Sequence, residues 1–324
     1  MSRRMSVTEI ADRTWRIESL IGPRNLFQYL IAGDGAAVLV DTGTTETPRE
    51  AILPAIRHVG LSPGAVRLMV VTHPDLDHQG GLAGLEEELP RALAACGFAD
   101  RGLVADPERL VTDRYGAYET EHELGYSEES KARVRSLYGA PAAVDLTFSG
   151  GEEVDLGARR LRALHAPGHS AGHIVLHEEE TGLLFTSDAV HWRMCPATDG
   201  SAALPPTYED VDPYLDTIGL LESLAPAELH SGHWPVRIGP EITAFLTESR
   251  EFVAALDGAI VDRLDGPATL WKLCLHVDAH LGPFGPDPVN LMFAVHGHLR
   301  RLLRRREVSL LDPTERPVRF RRAQ

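Results

Sequence analysis

The apolar run Leu68-Met69-Val70-Val71 leads without a break into Thr72-His73-Pro74-Asp75-Leu76-Asp77-His78, and Gly80-Gly81 follows. A short β-branched run with Gly64 ahead of it reads as a strand buried on both faces. Pro74 cannot extend a ladder, so the chain turns outward at the strand's end, carrying two imidazoles and two carboxylates. That mixture of side chains suits zinc, iron or manganese better than calcium or magnesium. Asp77 and His78 are adjacent and would point apart in an extended chain, so the loop has to curl for both to face one ion. The two glycines let backbone pass close to such an ion before a helix over 82–89. The alternative is a polar loop with two solvated histidines, and the rest of the chain separates the two readings.

Three further segments bring similar side chains to strand ends: His165-Ala166-Pro167-Gly168-His169-Ser170-Ala171-Gly172-His173, Leu183-Leu184-Phe185-Thr186-Ser187-Asp188, and His230-Ser231-Gly232-His233. In order and spacing they resemble the metallo-β-lactamase-fold hydrolases. That family carries H-x-H-x-D-H, a histidine in P-G-H-[ST], an aspartate after an apolar strand, and a histidine in G-H. The matching positions here are His73, Asp77, His78, His169, Asp188 and His233, and the resemblance covers residues 8–240. Asp75 stands where the family usually has its second histidine.

The resemblance implies a four-layer αββα sandwich of α/β class and two divalent ions, with zinc first. His73, Asp75 and His169 would address one ion, Asp77, His78 and His233 the other, and Asp188 would bridge. The implied nucleophile is a metal-bound hydroxide, and Asp77 counts among the catalytic residues as well as the ligands. Asp75 adds a third carboxylate, which lowers the net positive charge of the site. Zinc would then act as a weaker Lewis acid, and the preference moves toward iron or manganese. Aspartate is also shorter than histidine, so it can meet the ion directly or through water.

In chain order, residues 15–18 and 26–31 read as opening strands, and Gly33-Asp34-Gly35 as the turn to a paired strand over 37–41. That glycine pair lacks the strand-then-helix context of a dinucleotide fingerprint. Asp41 and Thr42 resemble a D-T-G segment found beside the metal site in the family, where they would orient ligand imidazoles. They equally fit a plain strand-to-helix turn with Thr45 or Thr47 as N-cap. The long segment 99–149 holds two helices, 107–118 and 128–138, and exceeds what the basic fold needs. It is either a lid with Tyr115, Tyr118, Tyr126 and Tyr138 on its inner wall, or a surface helical pair that buries those rings against itself. His165 is read as supporting the ligands or as structural rather than as a ligand, and His173 as an interior, hydrogen-bonded residue. His191 and Trp192 are placed to touch substrate or to pack. Cys195 has no paired base in view.

Two domains are expected: a catalytic domain over 1–240 and a winged-helix-like domain over 241–324. The second is built from helices 242–255, 259–264 and 289–305 and a wing over 307–320. Its end is rich in arginine, with Arg300, Arg301, Arg304, Arg305, Arg306, Arg316, Arg319, Arg321 and Arg322. Such a run either grips phosphates or faces the acidic catalytic domain.

A net charge of -15 disfavours generic nucleic-acid binding. No apolar run is long enough to span a bilayer. The start, Met1 to Ser6, has charge but no apolar core behind it, so a secretory leader is not expected. Cys96, Cys195 and Cys274 are three and far apart, which fits a reducing cytoplasm rather than a disulfide framework. The leading expectation is a metal-dependent hydrolase of a small-molecule ester, thioester or lactone. The alternatives are a nuclease or phosphodiesterase that uses the arginine tail, and a di-iron oxidoreductase or non-catalytic binding protein. The sequence gives no oligomeric state.

Overall fold

The computed structural model describes residues 6–323, so the leader expectation for the first residues lies mostly outside it. The first sheet runs in sequence order through β1 (Ser6–Ala11), β2 (Thr14–Ile21), β3 (Arg24–Ala32), β4 (Ala37–Val40), β5 (Val66–Val71), β6 (Leu93–Gly97) and β7 (Leu146–Phe148). Its first four strands are antiparallel, and β4 to β7 are parallel. The second half of the chain supplies β8 (Glu153–Asp155), β9 (Arg160–His165), β10 (Ile174–Glu178) and β11 (Leu183–Ser187). A short ribbon of β12 (Cys195–Pro196) and β13 (Ala202–Leu204) precedes β14 (Glu228–Ser231) and β15 (Arg237–Ile238). The second sheet has the order β15-β14-β11-β10-β9-β8.

The strands read as unbroken apolar runs because each feeds two cores at once. In β4, Val38 and Val40 face the space between the sheets, while Ala37 and Leu39 face helices; β5 repeats this with Leu68 and Val70 against Met69 and Val71. Between the sheets, Phe27, Tyr29 and Val70 meet Leu176, Leu183 and Phe185. Outside the first sheet lie the helical turns Pro48–Ile52 and Leu53–His58, with Ile52 and Ile56 buried. Outside the second lie Val211–Leu224 and Pro240–Arg263, which bury Tyr214, Ile218, Phe245 and Leu246 against Leu184 and Leu229. The result is the expected αββα sandwich.

Phe185 sits at the centre, fully buried, edge-on to Tyr29 at 5.1 Å and stacked on His230 at 5.4 Å. Phe185→Ala is expected to lower the unfolding free energy by about 3–5 kcal/mol. Urea denaturation measures it, and a loss below about 1 kcal/mol contradicts this packing.

The segment 240–324 departs from expectation. One helix, Pro240–Arg263, replaces the two expected over 242–255 and 259–264. Gly258 sits on its exposed side, and the burial of Phe252, Val253, Leu256 and Ile260 outweighs the ~1 kcal/mol that a helical glycine costs. Leu270–Leu281 is a helix that the sequence reading did not identify, capped by the Thr269 side chain on the Lys272 N–H. Leu291–Arg304 follows. In place of a two-stranded wing over 307–320 there is a three-stranded sheet in which β18 (Arg319–Arg322) lies between β16 (Ala268–Thr269) and β17 (Val308–Leu310). This unit shares one core with the segment 99–149: Leu110, Tyr115, Tyr118 and Leu124 pack with Leu273, Leu291, Phe293 and Val295. Five tail arginines pair with acidic groups, Arg319 with Glu315 among them. Arg300, Arg301 and Arg304 meet Asp210, Asp212 or Asp257 between 2.7 and 3.5 Å, and Arg305 lies 3.9 Å from Asp212. No helix among the described residues is long and apolar enough to cross a membrane.

Candidate metal centre

Every ligand segment ends at the same rim. After β5 the chain turns at Pro74 and winds into the short helix Leu76–Gln79, which supplies the curl that lets Asp77 and His78 face one point. The turn after β9 brings His169, the end of β11 brings Asp188, and the end of β14 brings His233. Three groups of ligand atoms form, His73/Asp75/His169, His73/His78/Asp188 and Asp77/His78/His233, each with its atoms within 4.8 Å of one another. A fourth such group contains His169, Asp188 and His191.

Hydrogen bonds to fixed acceptors assign three of the imidazole tautomers and orient the fourth ring. His73 Nδ1 meets Thr72 Oγ1 at 3.0 Å, and that hydroxyl donates to Asp41 Oδ1 at 2.8 Å. His78 Nδ1 donates to Asp41 Oδ2 at 2.9 Å, and His233 Nδ1 to the Asn25 carbonyl at 2.6 Å. His169 Nδ1 meets His191 Nε2 at 2.9 Å, and the Tyr214 hydroxyl accepts from the His191 backbone N–H at 2.9 Å. All four rings are thus held through Nδ1 and aim Nε2 inward. The Nε2 atoms of His73 and His169, Asp77 Oδ2 and Asp188 Oδ1 are buried with no hydrogen-bond partner. His78 Nε2 and His233 Nε2 approach to 3.3 Å. Bare lone pairs converging in this way fit divalent cations.

The charges point the same way. Burial pushes His73 down, aided by His78 and His169, so its ring is a neutral donor of electrons. Burial also opposes charge on His78, yet Asp41, Asp188 and Asp77 push it up to about 10. Burial alone would raise Asp75 and Asp77. Arg114 and His169 overcome it at Asp75, and His233, His78 and Arg24 at Asp77, holding both well below the usual carboxylate range. The pocket is therefore short of positive charge.

Asp41 lies at φ 62°, and its carboxylate accepts from the Thr72 N–H and hydroxyl, His78 Nδ1 and the Ser187 hydroxyl. The Thr42 hydroxyl and N–H both donate to the His78 carbonyl, at 2.9 and 2.8 Å. This pair holds the loop that carries His78, and Thr47 makes no side-chain cap for the following helix.

Two other residues lie at the edge of the cluster. His165 is exposed, with Nε2 2.8 Å from the Ala171 carbonyl, because it lies on the outer side of the turn that delivers His169. Trp192 turns away from the cavity and donates to Glu248 at 2.7 Å, following the left-handed bend at its own φ of 51°. His173 is buried but has no hydrogen-bond partner on either nitrogen, and its ring stacks on His73 at 4.9 Å. Cys195 is buried, which pushes its thiol up to about 12 despite Arg24 nearby, so it is a poor nucleophile. All three cysteines are free.

Three charged residues were missed. Arg114 Nε lies 2.8 Å from Asp75 Oδ1, and its Nη1 lies 2.7 Å from Glu209 Oε1. Arg24 Nη2 lies 3.4 Å from Asp77 Oδ2. A basic residue held by a carboxylate dozens of positions away leaves no local sequence signal. Above the cluster opens a cavity of about 520 Å³. Leu76, Tyr115, Tyr126, Val134 and Phe293 form its apolar wall, and Arg24, Asp77, Asp188 and His191 its floor. Tyr118 instead packs on Phe293 and His296, and Tyr138 bonds to Glu108. The segment 99–149 thus both walls the cavity and packs against its neighbours.

Residues 21–233 match the metallo-beta-lactamase superfamily. The chain belongs to that superfamily. Over 148 residues it is 30% identical to acyl-coenzyme A thioesterase MBLAC2 of Gallus gallus, covering 46% of this chain and 48% of that protein. Over 166 residues it is 32% identical to hydroxyacylglutathione hydrolase of Xanthomonas euvesicatoria pv. vesicatoria, covering 51% and 46%. The chain thus spans about half the length of the curated relatives it matches. Among solved structures, a metallo-beta-lactamase family protein of Thermus thermophilus superposes with a TM-score of 0.77 at 24% identity, over 97% of this chain and 100% of that one. That likeness extends the shared fold to the C-terminal helices.

Proposed function

We propose that this protein hydrolyses thioesters of small molecules with two divalent ions, zinc first, held by His73, Asp75, Asp77, His78, His169, Asp188 and His233. The observation that carries the proposal is the convergence of bare His and Asp ligand atoms on the floor of a cavity with an apolar wall. The two groups of relatives, named as acyl-coenzyme A thioesterases and hydroxyacylglutathione hydrolases, support the choice of bond.

Divalent ions at such ligands acidify water and polarise a carbonyl oxygen. The chain's own groups prepare that chemistry. Asp41, Thr72 and Asn25 hold His78, His73 and His233 in the tautomer that leaves Nε2 free, and His191 orients the His169 ring through its Nδ1. His233, His78 and Arg24 together keep Asp77 ionised, with His233 Nε2 3.3 Å and Arg24 Nη2 3.4 Å from its Oδ2. Tyr115, Tyr126, Val134 and Phe293 exclude water from the acyl arm, which raises the worth of every charge on the floor.

The test is thiol release from acyl-coenzyme A and acylglutathione substrates by protein loaded with zinc, manganese or iron. Hydrolysis is expected with at least one thioester class, falling to background in His169→Ala with the circular dichroism spectrum unchanged. No release under any loading, or release that survives His169→Ala, sinks the proposal. Metal analysis of protein purified without added metal identifies the resident ion.

A further inference from the structure

We infer that Arg114 is a working part of the metal centre: it spans the Asp75 carboxylate and fixes its rotation, so that Oδ2 faces His73 and His169 as a ligand. Asp75 Oδ1 lies 2.8 Å from Arg114 Nε, while Oδ2 accepts from Arg114 Nη2 at the longer distance of 3.4 Å and lies 3.1 Å from His169 Nε2 and 3.8 Å from His73 Nε2. A carboxylate alone at the mouth of a cavity can rotate to present either oxygen or both. Here the guanidinium fixes the rotation.

Arg114 is itself immobilised from four sides. Its side chain is 3% exposed, Nη1 pairs with Glu209 Oε1 at 2.7 Å and donates to the His169 carbonyl at 3.3 Å, and its charge lies 5.6 Å from the centre of the Phe293 ring. These contacts come from the crossing segment before Val211–Leu224, the turn after β9 and the helix Leu291–Arg304. Arg114 arrives on the π-helical turn Leu110–Tyr115, inside the segment 99–149. The insertion therefore does more than wall the cavity, because it completes the ligand loop.

The electrostatic consequence changes the expectation drawn from Asp75. An unpaired third carboxylate would harden the site against zinc. With a guanidinium spanning both its oxygens, Asp75 presents only part of its charge to the ion, closer to what a neutral imidazole presents. Aspartate and arginine together then do the work of one histidine. This makes the two residues a coupled pair rather than two independent contributors.

The inference rests on the cluster holding metal ions, and its test reads binding rather than turnover. Zinc affinity is measured by competition with a chromophoric chelator for the intact chain and for Arg114→Met, Asp75→His and the double variant, with melting of each apoprotein alongside. Arg114→Met is expected to weaken the weaker-bound zinc by about tenfold, through an Asp75 that is free to turn. Asp75→His is expected to weaken it more, by about a hundredfold, because a guanidinium then faces the ion with no carboxylate between. The double variant is expected to bind at least tenfold more tightly than Asp75→His alone. A mere fastening role for Arg114 predicts losses that add, and additive losses overturn the inference. Should Arg114→Met not fold, Arg114→Lys keeps the charge but cannot hold both Asp75 and Glu209. Unchanged zinc affinity in that variant also overturns it. If the unaltered protein binds no zinc, manganese or iron, the metal reading itself fails, which is a distinct outcome.

Discussion

Asp188→Ala is expected to cut thioester hydrolysis by about a thousandfold, equivalent to ~4 kcal/mol of barrier at 1.36 kcal/mol per decade. Asp188 is the carboxylate that both halves of the cluster share. Its Oδ1 lies 3.8 Å from His78 Nε2 and its Oδ2 3.4 Å from His233 Nε2, and it also groups with His73 and with His169. Removing it takes away a ligand and the negative charge that lets two cations sit close together. The loss should therefore appear in metal content as well as in rate. Steady-state kinetics with saturating zinc and metal analysis after desalting measure the two effects. Activity within tenfold of the unaltered protein, with two ions retained, would mean that Asp188 does not bridge.

The second large effect is on stability. Asp41→Ala is expected to lower the unfolding free energy by about 3–5 kcal/mol, the range for breaking a buried charged partnership. The Thr72 N–H and hydroxyl, the Ser187 hydroxyl and His78 Nδ1 all lose their acceptor at once, inside a region from which water is excluded. Alanine must also adopt the φ of 62° that aspartate tolerates better. Urea denaturation of metal-free protein gives the number without contributions from bound ions. Asp41→Asn separates fold from function. Its amide can still accept from Thr72, but an NH₂ facing His78 Nδ1 favours the other tautomer and puts a proton on Nε2. That variant should fold and bind metal about 10–100-fold more weakly. Equal affinity for Asp41→Asn and the unaltered protein would falsify the tautomer argument.

The side chains that converge at the rim were legible because each sits at a strand end in a short local pattern. His73 to His78, His169, Asp188 and His233 could be found one segment at a time. Alternation within the strands was legible for the same reason, since neighbouring residues such as Leu39 and Val40 must enter different cores. The supporting residues were harder. Asp41 could be singled out by its D-T-G setting, but His165 and Trp192 were equally well placed in sequence and turn away. Their direction depends on the bend of a single loop, which spacing does not encode.

Sequence alone determined that this chain forms strands buried on both faces, with histidines and aspartates at their ends, because backbone pairing and residue chemistry are local matters. Only the tertiary structure decided the electrostatics. Arg114 reaches Asp75, Arg24 reaches Asp77, and Arg301 is bound to Asp212 and Asp257. Guanidinium groups on long side chains find carboxylates across space, and the energy of such a pair depends on burial and distance, which exist only once the chain has folded.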